Sequence, residues 1–439
     1  MATTVGPADV QDAPGSPPSD ARRRRPVLES ATVVVGVGLA LTVGLDGSAG
    51  WQVARVALAV ALTVVVVRVE RRASPRTRGR VAAALGMVST AVGLGFAPHL
   101  AKGGPLPIRV ASIVLLIGGL VLLVGGTVVA LHGRRWLRTV GPVAGVVVLT
   151  VVTALVVSPA IAATNVPRPA LGATPADVGL TAEDVEIPTS DGVRLAAWYV
   201  PSRNGAAVVL LHDAGSTRSD VLDEAAVLAD AGFGVLMVDA RGHGESEGRA
   251  MDFGWYGEQD VAAAVDVLAA QPDVDPARLG VVGLSMGGEQ ALGASGADPR
   301  IHAVVAEGAT ARSAADEAWL SEQFGLQGWV QEQLEWVQDR FTDILTDAPL
   351  PTSSRSAVES ADGTRYLLIT AGEVPDEGYS AVYVAAGAPD RVDVWTVPGA
   401  AHVGGLATAP DEWTERVTTF LADALSPGGA EAGRGQTTP

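Results

Sequence analysis

The stretch Leu279-Gly280-Val281-Val282-Gly283-Leu284-Ser285-Met286-Gly287-Gly288 decides how the rest of the chain is read. Its first half is an apolar run suited to a buried strand. Its second half opens an alanine-rich segment of helical character. Between them stands Gly-x-Ser-x-Gly, the pattern of a serine lifted on a sharp strand-to-helix turn. A turn that tight leaves no room for side chains beside the serine, so glycine flanks it on both sides. The same turn aims the Met286 N–H, at the start of a helix, toward the place where an oxyanion forms in acyl transfer. Ser285 is therefore the candidate nucleophile, and Met286 N–H a candidate oxyanion donor.

Around that turn, short apolar runs alternate with helical stretches from Leu180 to Leu425. Strands are expected over 185–188, 193–200, 206–211, 234–238, 279–283, 303–307, 365–370 and 391–397. Helices are expected over 217–231, 254–270, 286–296, 376–387 and 410–425. An opening pair of strands followed by β-α alternation predicts a mostly parallel sheet with helices on both faces. One α/β domain over 180–426 suits that layout, followed by a Gly-rich disordered tail over 427–439.

Upstream lies a different kind of sequence. Residues 1–26 form a Pro-, Asp- and Ser-rich tail ending in Arg22–Arg25, and they read as disordered. Apolar segments follow near Val27–Leu45, Trp51–Val67, Val81–Pro98, Val110–Leu131 and Val140–Ala163. They predict an α-helical region of about five transmembrane spans within residues 27–165. Arginines cluster in alternate connections: before the first span, over 68–80, and over 134–138. Basic loops stay in the cytoplasm, so the N-terminus is expected inside and everything after Ala163 outside. The expected location is the plasma membrane, with membrane lipid as a partner. Gly141 and Gly145 make one Gly-x-x-x-Gly that suits helix packing. The spans are mostly Val, Leu, Ala and Gly, which points to an anchor or assembly role rather than transport. A Pro- and Ala-rich linker is expected over 166–179.

The 439-residue chain has 31 Lys and Arg against 48 Asp and Glu, a formal net charge of -17. Residues 1–165 hold 16 of the basic and 6 of the acidic residues, so a basic membrane part precedes an acidic soluble part. The acidic part would repel phosphates, which argues against a nucleic-acid partner. The chain has no cysteine, which removes thiol nucleophiles, disulfides and cysteine-ligated metals. It has no His-Glu-x-x-His, no Gly-x-x-x-x-Gly-Lys and no paired His/Asp spacing. No metal and no cofactor is expected.

Several stretches together resemble the alpha/beta-hydrolase superfamily over about Leu180 to Leu425. They are Thr189-Ser190-Asp191-Gly192-Val193 with Trp198, the strand ending at His212-Asp213-Ala214-Gly215, and Asp239-Ala240-Arg241-Gly242-His243-Gly244-Glu245-Ser246. The turn at Ser285 and Pro398-Gly399-Ala400-Ala401-His402 complete the set, in the family's order. The resemblance implies an eight-stranded sheet, a Ser–acid–His order and a helical cap inserted after the sixth strand.

It also implies roles for single residues. Of the four histidines after residue 165, His302 starts a predicted buried strand and reads as structural. The family uses the positions of His212 and His243 to shape loops, and keeps its base where His402 stands. The third member is a carboxylate in Ala371-Gly372-Glu373-Val374-Pro375-Asp376-Glu377. The usual Gly-x-x-Asp spacing, counted from Gly372, lands on Pro375. Asp376 is one residue late and is favoured, with Glu373 the alternative. The second oxyanion donor would be the N–H of Ala214. Asp213 replaces the family's usual glycine; its charge either faces solvent or repels a developing oxyanion.

The insert at about 311–349 holds Trp319, Phe324, Trp329, Trp336 and Phe341. Trp329 and Trp336 stand seven apart, and Leu334 and Val337 continue the face. Such a face packs on the domain, lines an apolar acyl pocket or rests on lipid. The expected activity is that of a membrane-anchored serine hydrolase cleaving carboxylic esters or thioesters, on a small-molecule or lipid-like acyl substrate. The alternatives are a catalytically inactive hydrolase-fold scaffold at the membrane, and a serine peptidase.

Overall fold

The computed structural model describes residues 20–43, 49–250 and 252–426. The tails expected over 1–19 and 427–439 lie outside the described residues, as does the end of the first apolar segment. The chain divides into two units: residues 1–90 with 114–150, and residues 91–113 with 151–439.

Each apolar segment contributes a long helix: α1 (Asp20–Val43), α2 (Ala49–Arg72), α3 (Pro75–Gly95), α4 (Leu106–Leu131) and α5 (Val140–Thr164). Residues 20–26, expected in the disordered tail, are helical. Among the described residues, two stretches are both long and apolar enough to cross a membrane: Leu106–Leu131, with a mean hydropathy of 2.7, and Trp136–Thr164, with 2.5. The expected five spans thus reduce to two on this criterion. Charge dilutes the others. Arg22–Arg25 open α1, Arg68, Glu70, Arg71 and Arg72 close α2, and Arg76, Arg78 and Arg80 open α3.

Within the first unit, Thr32 donates to the Glu70 carboxylate at 3.2 Å, joining α1 to α2. Glycines let α3 and α4 touch backbone to backbone. A Cβ on Gly86 would lie 2.2 Å from Leu123 N, and one on Gly126 would lie 2.5 Å from Ala83 N. Small residues at such crossings allow close packing. Gly141 and Gly145 take no part, since a Cβ on either would meet nothing within 4 Å among the described residues.

The second unit holds an eight-stranded sheet in the order β1-β2-β4-β3-β5-β6-β7-β8. The strands are β1 (Glu183–Pro188), β2 (Arg194–Val200), β3 (Ala207–Leu211), β4 (Gly234–Val238), β5 (Leu279–Leu284), β6 (Ile301–Glu307), β7 (Arg365–Ala371) and β8 (Val392–Val397). β2 is antiparallel to both neighbours, and β3 through β8 are parallel. β3, β4 and β5 are buried at every position, which is why they read as unbroken apolar runs. The principal helices are α6 (Leu222–Asp230), α7 (Gly257–Ala269), α8 (Met286–Ala297), α9 (Leu326–Leu345), α10 (Pro375–Ala385) and α11 (Pro410–Ala424). α7, α8 and α10 pack on one face of the sheet. α6 and α11 pack on the other. Parallel strands need such crossovers.

The segment expected as a linker is docked on the domain. The Arg168 guanidinium donates to the carbonyls of Gly244 at 3.2 Å and Gly248 at 3.0 Å, and also to that of Ser246. Gly244 N–H returns a bond to Pro169 O at 3.2 Å. These bonds hold the loop after β4.

The insert between β6 and β7 is built on α9, and its aromatic face does not pack inward. Leu326, Trp329, Trp336 and Ile344 are 77%, 51%, 53% and 79% exposed. The inward side carries polar groups instead. Glu332 accepts from Ser321 N–H and Asp339 from Ala314 N–H, both at 2.7 Å.

Candidate active site

Ser285 sits between β5 and α8 with φ 51° and ψ −119°. A non-glycine residue in that region is strained and persists only where its surroundings force it. Here they do. A Cβ on Gly283 would lie 2.2 Å from Gly287 O, and one on Gly287 would lie 2.6 Å from Leu211 O. Only glycine permits this approach of α8 to the ends of β3 and β5. Ser285 N–H donates to Glu307 O at 2.7 Å, which pins the turn to the end of β6.

Three side chains from three strand ends form a line. His402, in the loop after β8, places Nε2 2.9 Å from Ser285 Oγ. Its Nδ1 lies 2.7 Å from Glu377 Oε1. This network assigns the proton to Nδ1, donating to the carboxylate, and leaves Nε2 to accept from the hydroxyl. The hydrogen bond to Glu377 raises the His402 pKa above its ordinary value; partial burial opposes this, and the charges of Glu377, Asp213 and Glu289 add to it.

The carboxylate on His402 is Glu377, not Asp376 or Glu373. Glu373 lies in the turn after β7, and both it and Asp376 are exposed. Pro375 starts α10, so Asp376 and Glu377 are successive helical residues about 100° apart around the axis. That rotation turns Glu377 inward with Ser380, Ala381 and Val384, all buried. Its second oxygen accepts from Ala371 N–H at 2.7 Å. Of the four inward positions 377, 380, 381 and 384, only Ala381 and Val384 are apolar, so the sequence marks this face weakly.

Met286 is the first residue of α8, where N–H groups have no intrahelical acceptor. Ala214 follows β3, whose last residue pairs in register with Gly283 of β5. The two candidate donors therefore leave neighbouring strand ends. His212 shapes the Ala214 loop: Nδ1 donates to Asp213 O at 2.7 Å and Nε2 accepts from Ala240 N–H at 3.0 Å. Burial holds His212 below its ordinary pKa. His243, also buried, is pushed down to about 4, chiefly by desolvation. Both are neutral rings fixed within loops. The Asp213 carboxylate turns back to accept from Ser216 Oγ within its own turn.

One supporting residue was not singled out in the sequence. The buried Glu307 side chain accepts from Gly405 N–H at 2.7 Å and Trp413 Nε1–H at 2.8 Å. Its backbone holds Ser285, and its side chain holds the His402 loop against α11. Burial raises its pKa.

Comparison with known proteins finds partial matches to hydrolases. The family described as serine aminopeptidase, S33, matches residues 202–360. An uncharacterized Mycobacterium tuberculosis protein is 38% identical over 113 residues, 25% of this chain and 40% of that one. The thiohydrolase aneE of Aspergillus aculeatus is 35% identical over 129 residues, 28% of this chain and 41% of that one. The chain thus spans about two fifths of the length of these relatives. The Pyrococcus furiosus esterase Pf2001 superposes with a TM-score of 0.47 at 25% identity, covering 60% of this chain and 98% of that one. A mostly parallel sheet of this order, a strained serine at the end of its fifth strand and the family match over 202–360 give the catalytic unit an alpha/beta-hydrolase fold.

Proposed function

We propose that this protein is a membrane-anchored serine hydrolase that cleaves carboxylic ester or thioester bonds. The observation that carries the reading is the line Ser285–His402–Glu377, with contacts of 2.9 Å and 2.7 Å. Ser285 Oγ attacks the carbonyl carbon while His402 Nε2 takes its proton. Glu377 keeps the ring in the tautomer that can accept and stabilises the imidazolium. The negative oxygen of the tetrahedral intermediate is received by the N–H groups of Met286 and Ala214. Collapse expels the alcohol or thiol, which takes the proton from His402. Water then repeats the sequence on the acyl-enzyme and releases the acid.

The raised His402 pKa suits a base paired with a carboxylate, and the thiohydrolase relative supports an acyl substrate. The serine aminopeptidase description of the matched family supports a second reading, release of an N-terminal residue from a peptide. Turnover of 4-nitrophenyl butyrate and butyryl-thiocholine, against alanine 4-nitroanilide, separates the two. Ester and thioester turnover without anilide turnover is expected; the reverse would establish the peptidase.

The helices before Asn165 are read as the anchor, with α4 and α5 crossing the bilayer and the three charged helices completing about five spans. The arginine clusters favour a cytoplasmic N-terminus and an outside catalytic domain. Cysteine introduced at the exposed Ser356 tests this in a chain with no other cysteine. Labelling of intact cells by an impermeant maleimide is expected; labelling only after lysis would place the domain inside.

A further inference from the structure

The turn between α3 and α4 belongs to the same unit as the catalytic sheet. It is held there by two fastenings. His99, buried in the turn, bonds through Nε2 to Asn165 O at 2.7 Å. Arg168, three residues on, is clamped to the loop after β4. A Cβ on Gly104 would lie 2.2 Å from His99 Nδ1, so the turn closes tightly on the imidazole.

This turn carries Lys102, the only lysine in the sequence. Its ammonium stands over the loop that follows β3. A Cβ on Gly215 would lie 2.9 Å from Lys102 Nζ. Gly215 has φ 79° and is one residue beyond Ala214 and two beyond Asp213. Among the described residues Lys102 has no ion-pair partner, and its side chain is exposed. The negative charge of this neighbourhood reaches the site. Asp213 acts on His402, raising its pKa, and Lys102 acts on His243, lowering it.

We infer that Lys102 is a positioning residue whose positive charge offsets Asp213 beside the oxyanion loop. Asp213 is a fixed negative charge close to where a second one develops in the tetrahedral intermediate. The Lys102 ammonium, held beside Gly215 two residues along from Asp213, lowers the cost of that charge without touching substrate. A hairpin between two of the long helices thereby completes the electrostatics of the active site, beyond tethering it. The inference rests on the ester-hydrolase reading.

The test uses the full chain in membranes and the neutral substrate 4-nitrophenyl butyrate. Four variants are compared with wild type: Lys102→Ala, Lys102→Arg, Asp213→Asn and the double change Lys102→Ala with Asp213→Asn. Lys102→Ala is expected to lower kcat roughly three- to tenfold with KM unchanged, the range for one charge acting across a partly solvated gap. Lys102→Arg keeps the charge and is expected to keep kcat. In the Asp213→Asn background the loss from Lys102→Ala is expected to shrink below about twofold, because the charge it offsets is gone. An equal loss in both backgrounds, or none in either, would overturn the inference. A wild type that neither turns over the ester nor reacts with a fluorophosphonate would overturn the ester-hydrolase reading itself, and the inference with it. A wild type that does both, beside an unchanged Lys102→Ala, would overturn the inference alone.

Discussion

The turn after β5 and the turn after β7 are built alike and constrained differently. Each joins a parallel strand to a helix, and each presents one side chain to His402. After β5, backbone atoms of α8 and β3 crowd within 2.2–2.6 Å of where a Cβ would stand on Gly283 or Gly287. Sterics there leave one residue, Ser285, able to project. After β7, three carboxylates occupy five positions, and only the start of α10 at Pro375 decides which one turns inward. The first turn selects by exclusion, the second by helical phase.

The largest expected effect breaks the first turn. Gly287→Ala drives a methyl against Leu211 O at 2.6 Å, and nothing there is a flexible side-chain end that could yield. A loss of about 3 kcal/mol is expected, the upper part of the range for overpacking an interior. Urea unfolding of the detergent-solubilised protein measures it; a loss below about 1 kcal/mol would show that α8 can shift.

The next prediction separates the acids of the second turn. Glu377→Gln is expected to lower kcat by about 10,000-fold, as when a triad's orienting carboxylate becomes an amide and the base is held in the wrong tautomer. Asp376→Asn and Glu373→Gln are expected to stay within about twofold of wild type, since both side chains are exposed. Ester turnover of the three variants decides it. A larger loss in Asp376→Asn than in Glu377→Gln would return the role to Asp376.

A subtler effect is on pH dependence. His402 acts as a base only when neutral, and Glu377 raises its pKa. In wild type kcat/KM is expected to rise with pH through an apparent pKa above the ordinary 6.5 of histidine. In Glu377→Gln the residual activity is expected to begin rising at lower pH. Movement of that limb to higher pH would contradict the assignment.

The smallest expected effect concerns α9. Trp336→Gln and Val337→Gln alter side chains that are largely exposed, so stability is expected to move by less than about 0.5 kcal/mol. A larger loss would mean that this face is covered in solution.

The same contrast explains what could be read from the sequence. The strands were legible because β3, β4 and β5 are buried at every position and so appear as unbroken apolar runs. Ser285 was legible because glycines mark the crowding beside it. The acid was not, because a spacing rule counted from Gly372 ignores where the helix begins, and of the buried positions 377, 380, 381 and 384 only Ala381 and Val384 are apolar. The role of the α9 aromatics stayed open because an apolar stripe shows periodicity without showing which way it faces. Glu307 was hidden for another reason. It ends an apolar strand as a single acid, and its partners Gly405 and Trp413 lie about a hundred residues downstream.

The central claim is that Ser285 is an activated nucleophile. Labelling membranes with a fluorophosphonate, on wild type and Ser285→Ala, tests it most directly. Strong labelling of wild type that disappears in Ser285→Ala is predicted. No labelling of folded wild type, or labelling that persists in Ser285→Ala, would contradict the claim and leave the inactive scaffold as the better account.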